Sequence, residues 1–137
     1  MICTRREYDE AVSRGEVPLL SWDGLDIHLR VEIQRELFGR GHTQAENERF
    51  YRWCWEHKPH YCEETMRPLP NYSAVYVSHI LTRGANPDMA HDPRNVNILS
   101  FEAHNKWENG NRKSMRIYEK NQLTINLLRT EYDTRNF

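Results

Sequence analysis

The sequence predicts an α+β fold, mainly helical, with a strand, loop, strand and helix (ββα) unit in its C-terminal half. Three observations carry this. Helix-start signals and helical apolar spacing dominate residues 1–57 and return after residue 112. The β-branched and aromatic run from Tyr72 to Leu81 is followed by a turn-rich loop, TRGANPDMAHDPRN, and then by the short apolar run Val96 to Leu99. A helix opens directly after that run, at Phe101. With 137 residues the chain is long enough for one domain. Its expected parts are a helical N-terminal region (1–57), the ββα core (61–111) and a C-terminal helix (112–137).

Taken in order, Thr4 and Glu7 form a capping box ahead of Tyr8, Ala11 and Val12, with Gly15 as the stop. Asp26 to Gly39 admits two readings. Ile27, Leu29, Val31 and Ile33 alternate as in a strand, whereas Leu29, Ile33 and Leu37 recur every four residues ahead of a helix-ending glycine, which favours helix. Thr43 and Glu46 form a second capping box; Phe50, Trp53, Cys54 and His57 then share one face until Pro59 closes the segment. Tyr72 to Leu81 reads as a strand carrying His79 near its end. Gly110 breaks the helix that begins at Phe101, and Met115, Tyr118, Ile125, Leu128 and Tyr132 mark the face of a long last helix.

Lys and Arg number 19 against 20 Asp and Glu, so the net charge of −1 excludes a uniformly basic nucleic-acid coat protein. A nucleic-acid site would need local cations or a metal. No apolar run approaches the roughly 18 residues of a membrane span, and MICTRREYDE lacks the apolar core of a secretion signal, so no membrane partner and a cytoplasmic location are expected. The three cysteines, Cys3, Cys54 and Cys62, are odd in number and unpaired in spacing, as free thiols would be.

His79 on the first strand, Asn95 at the start of the second and His104 on the following helix set out a characteristic order, with Asn95 and His104 nine residues apart. Over about Cys62 to Asn111 the chain resembles the HNH endonuclease family, whose ββα-metal finger has Asp/His-His-Ile, then Asn-Leu, then His or Asn at that distance. Here the motif reads Ser78-His79-Ile80, Asn95-Val96 and His104. It is most similar to NinG-type phage recombination nucleases, which share a loop like Gly84-Ala85-Asn86-Pro87 and a tail like Asn105 to Asn111.

The resemblance implies a metal-dependent endonuclease cutting DNA phosphodiester bonds in phage or prophage DNA processing. An imidazole with a pKa of about 6.5 is available as a base at neutral pH, so His79 is the expected general base. His104 is the expected ligand for a divalent cation such as Mg²⁺ or Mn²⁺, and Asn95 the residue that ties the loop through its amide. Glu108, four residues after His104, and Ser78, where relatives carry an acidic or imidazole ligand, complete the expected metal set; Ser78 brings only a neutral hydroxyl. Relatives often have two cysteine pairs around the finger. Here only Cys62 remains, opposite Thr65, Ser100 and Ala103, and no structural zinc is expected. Arg83, Arg94, Lys106, Arg112 and Lys113 cluster along the motif as candidate phosphate contacts. Trp53, Trp55 and Trp107 are expected in the core, and His91 in a structural role. The runner-up is a catalytically impaired HNH-fold protein that binds branched or single-stranded DNA, and a third reading is a structural α-rich phage protein whose histidines are incidental.

Overall fold

In the computed structural model, which describes residues 1–16, 20 and 23–133, five helices surround a two-stranded antiparallel sheet. The last positions of the expected C-terminal helix, 134–137, lie outside the described residues.

Helix α1 (Arg5–Ser13) starts where Thr4 accepts from the Glu7 amide at 3.1 Å. The ambiguous segment is helical: α2 (Ile27–Phe38) begins at Asp26 and ends at Gly39, whose φ of +96° suits glycine. Its alternating pattern arises because α2 is buried on most sides, with Ile27, Leu29, Val31, Ile33 and even Arg30 and Gln34 covered. The expected stripe is corrected at its end, since Leu37 is exposed and Phe38 takes its place in the core. In α3 (Gln44–His57) the Thr43–Glu46 capping box is complete. The buried face is Asn47, Phe50, Cys54 and Trp55; Trp53 is only partly buried and His57 is exposed.

The strands are shorter than expected. Ala74–Tyr76 form a 3₁₀ turn, leaving β1 as Val77–His79, paired with β2 (Val96–Ile98) in the register Val77 to Ile98, Ser78 to Asn97 and His79 to Val96. Between them the chain makes two proline-initiated 3₁₀ turns, Pro87–Met89 and Pro93–Asn95. Helix α4 (Phe101–Asn109) is capped by Ser100, and α5 (Tyr118–Asp133) begins later than expected because residues 112–114 form another 3₁₀ turn. Met115 and Ile117 are buried before α5 starts, where Glu64 accepts from the Arg116 and Ile117 amides at 3.0 and 3.1 Å. One apolar cluster draws on all five helices and both strands.

The loop between the strands is held from inside by a buried carboxylate. Asp92, fully buried, accepts from Arg94 at 2.7 Å and from the Tyr132 hydroxyl of α5 at 2.9 Å, while Arg30 of α2 stands 3.5 Å away. Arg94 also pairs with Glu131 of α5 at 2.8 Å. Burial alone would raise the Asp92 pKa, but the guanidinium groups of Arg94 and Arg30 outweigh it and hold the carboxyl below its ordinary value. Removing one member of such a buried network strands the others. Asp92→Ala is therefore expected to lower stability by about 3–5 kcal/mol in urea unfolding followed by circular dichroism.

Candidate active site

Strand alternation decides what faces the site. Val77 and His79 point from β1 into a cavity of about 390 Å³ that is also lined by Tyr51 of α3, Thr82, Arg83 and Gly84 of the loop, and His104 and Glu108 of α4. The two histidines thus meet at one surface.

Each imidazole is oriented by a main-chain carbonyl. His79 Nε2 lies 2.8 Å from the Ala90 oxygen, and a carbonyl only accepts, so the neutral ring donates Nε2–H and keeps its lone pair on Nδ1. Burial chiefly pushes the His79 pKa down; the Ala90 bond opposes this, and the positive charges of Arg83 and His104 reinforce it. The ring is a neutral base at neutral pH. His104 Nδ1 stands 2.6 Å from the Val75 oxygen, which leaves the lone pair of its neutral form on Nε2. That nitrogen faces Glu108 Oε1 at 2.9 Å. Two electron-pair donors set against each other require a positive species between them, either a proton or a metal ion. One imidazole nitrogen and one carboxylate, an i, i+4 pair on α4 with side chains 20% and 51% exposed, fit a divalent cation that completes its shell with water or phosphate oxygens.

Asn95 ties the loop between the strands through its side-chain amide. Fully buried, it accepts from the Leu81 amide at 2.8 Å and donates to the Leu81 and Met89 carbonyls at 3.0 and 3.3 Å, stapling the loop that carries Ala90. Trp107 of α4 adds a bond to the Ile80 carbonyl at 3.2 Å.

Ser78, Arg94, Lys106, Arg112 and Lys113 do not line this cavity. Ser78 projects from the opposite face of β1, fully buried, and does not line the cavity, because neighbours on a strand point to opposite sides. Arg94 is buried in the Asp92 network, where Asp92, Glu131 and Asp23 occupy its guanidinium, so it is not presented to a phosphate. Arg83 lines the cavity and donates to the Tyr51 hydroxyl at 2.7 Å. Lys106 and Lys113 are exposed, and Arg112 lies over the Trp107 ring, 4.4 Å from its centroid. Trp107 and Trp55 are core residues, as expected, with Trp55 stacked on His60 at 3.9 Å. Sequence reasoning missed Tyr51, which sits in the N-terminal region, and no signal in the sequence marks it.

Cys62 Sγ accepts from the Thr65 amide at 3.4 Å and lies 3.6 Å from Ser100 Oγ, which in turn accepts from the Ala103 amide at 3.3 Å. These contacts join the segment around Cys62 to the start of α4. Among the described residues no group of three or more His, Cys, Asp or Glu side chains gathers in a metal-binding arrangement. Comparison with protein-family models, curated proteins and solved structures finds no match for the chain.

His91 supports the loop from behind. Its Nε2 bonds Asn47 Oδ1 of α3 at 2.8 Å, and Asn47 donates to the His42 carbonyl at 3.1 Å. Burial, helped by His42, lowers its pKa to about 4, well below its ordinary value of 6.5. The unfolded chain therefore takes up a proton on this residue that the folded one refuses, and its contribution is complete above pH 6.5 and lost as pH falls toward 4. Unfolding free energies from urea titrations between pH 7 and 5 should decline by up to about 1.4 kcal/mol per pH unit from this group, a component absent in His91→Asn.

Proposed function

We propose that the chain is a metal-dependent HNH endonuclease that hydrolyses DNA phosphodiester bonds in phage or prophage DNA processing, within the cytoplasm of a bacterial or infected cell. The observation that carries this reading is the single cavity shared by His79 and the His104–Glu108 pair. A base and a cation site side by side are what hydrolysis of an anionic diester demands.

In this reading His79 Nδ1 takes a proton from a water molecule, whose oxygen attacks phosphorus in line. The bond from phosphorus to the 3′ oxygen breaks, and that oxygen leaves as a hydroxyl after protonation by solvent, giving 5′-phosphate ends. Asn95 and Ala90 hold the base in its tautomer and orientation, and Arg83 offers its guanidinium to a phosphate oxygen. His104 and Glu108 would hold a divalent cation, which neutralises charge on the phosphate and the leaving oxygen.

A second reading, an impaired finger that binds branched or single-stranded DNA without cutting it, is favoured by the burial of Ser78, which reduces the protein's ligand set to two side chains.

Purified protein incubated with plasmid, single-stranded and branched DNA in magnesium, manganese or nickel separates the two. Cleavage that requires metal and falls at least about 100-fold in His79→Ala is the expected result. Binding without cleavage selects the second reading, and neither binding nor cleavage overturns both. Because the His79 pKa is lowered, the acid limb of the kcat/KM profile should fall below pH 6.5, with activity lost as the base is protonated. A limb above that value would remove His79 from the role.

A further inference from the structure

Beside the histidine cavity, on the other side of His104, lies a smaller recess of about 110 Å³ lined by Val75, Phe101, His104, Asn105 and Glu108. Phe101 is 62% exposed and Val75 44%, and among the described residues Phe101 is the one Phe, Tyr or Trp on the open surface. Every other described Phe and Trp, and every described Tyr but Tyr61, packs into or against the core, so this ring stands apart from the pattern of the described residues. It also stands next to the reacting groups. Phe101 and His104 are i, i+3 neighbours on α4, with Cβ atoms about 5–6 Å apart. Val75, which lines the same recess, also supplies the carbonyl that orients His104.

We propose that Phe101, backed by Val75, is a stacking platform for the nucleobase adjoining the bond that is cut. The inference rests on the nuclease reading above and names its substrate: a strand whose bases are unstacked at the cleavage point, single-stranded or branched rather than continuous duplex. The spacing matches the ligand. A base is separated from its own phosphate by one sugar, so a phosphate engaged at His104 brings its base within reach of a ring one helical turn away. Charge agrees too, since Arg83 lines the adjoining cavity and Lys106 is exposed on the same helix. Aromatic faces bind bases with little regard to sequence, and in intact duplex both faces of each base are already covered by neighbours.

The test uses His79→Ala protein with magnesium, so that DNA is bound without being cut, and oligonucleotides carrying 2-aminopurine at successive positions. Single strands should bind more tightly than the same sequence as duplex, with the fluorescence of one position changed on binding. Adding Phe101→Ala should weaken single-strand binding about tenfold and abolish that change, while Phe101→Tyr preserves both. Since the ring is exposed, its removal should leave the thermal midpoint unmoved. Affinity within twofold after Phe101→Ala, or duplex bound as well as single strand, overturns the inference. Self-association of the His79→Ala protein that Phe101→Ala abolishes, with DNA affinity unchanged, would also overturn it and assign the ring to a second copy. If metal-dependent cleavage of single strands by the otherwise wild-type protein keeps the same kcat/KM after Phe101→Ala, only this inference falls. If His79→Ala protein binds no DNA and the wild type cuts none, it falls together with the nuclease reading.

Discussion

A carboxylate with no access to water sits beneath the loop that joins the two strands, and the position of that loop depends on it. Asp92 could not remain ionised in such a place unless cations and hydroxyls replaced its lost hydration. Arg94 supplies this from two residues away in the chain, Arg30 from α2 and Tyr132 from α5, so one side chain gathers partners that are distant in sequence. The loop has little regular structure of its own. Its two 3₁₀ turns are fixed by proline φ angles, by Asn95 stapling its ends and by the Asp92 network anchoring its middle. Held in this way, the loop sets the buried carbonyl of Ala90 against His79.

Peptide oxygens thus set the protonation pattern of the cavity. Because a carbonyl accepts and never donates, Ala90 and Val75 each decide which nitrogen of a histidine carries hydrogen. They act on opposite nitrogens, leaving a lone pair on Nδ1 of His79 and on Nε2 of His104. Two residues of one type thereby acquire different chemistry: the more buried ring is kept neutral, and the more open one is set against a carboxylate.

Much of the architecture could be read in the residues because local signals were strong. Thr43 with Glu46 fixes the start of α3, and the spacing from Asn95 to His104 places an amide under the loop and an imidazole on the helix. The strands were overestimated, since β-branched and aromatic composition describes Ala74–Tyr76 as well as Val77–His79, and only tertiary packing turns the first three residues into a 3₁₀ turn. The site was legible where one residue does one job and illegible where the fold reassigns it. Arg94 looks like any cation of a basic cluster until Asp92, Glu131 and Asp23 surround it. Ser78 stands next to His79 in the chain, yet only His79 takes the cavity side of β1. Tyr51 and Phe101 carry no motif at all; their placement follows from how α3 and α4 pack on the sheet.

The reach of the Asp92 cluster also bears on biogenesis. Its partners run from Arg30 to Tyr132, so the cluster cannot close until α5 has been made. Until then the loop lacks an anchor, and His79 lacks a fixed carbonyl partner. A growing polypeptide would therefore carry His79, Asn95 and His104 before their arrangement exists, and that arrangement is completed only once α5 packs beneath the loop.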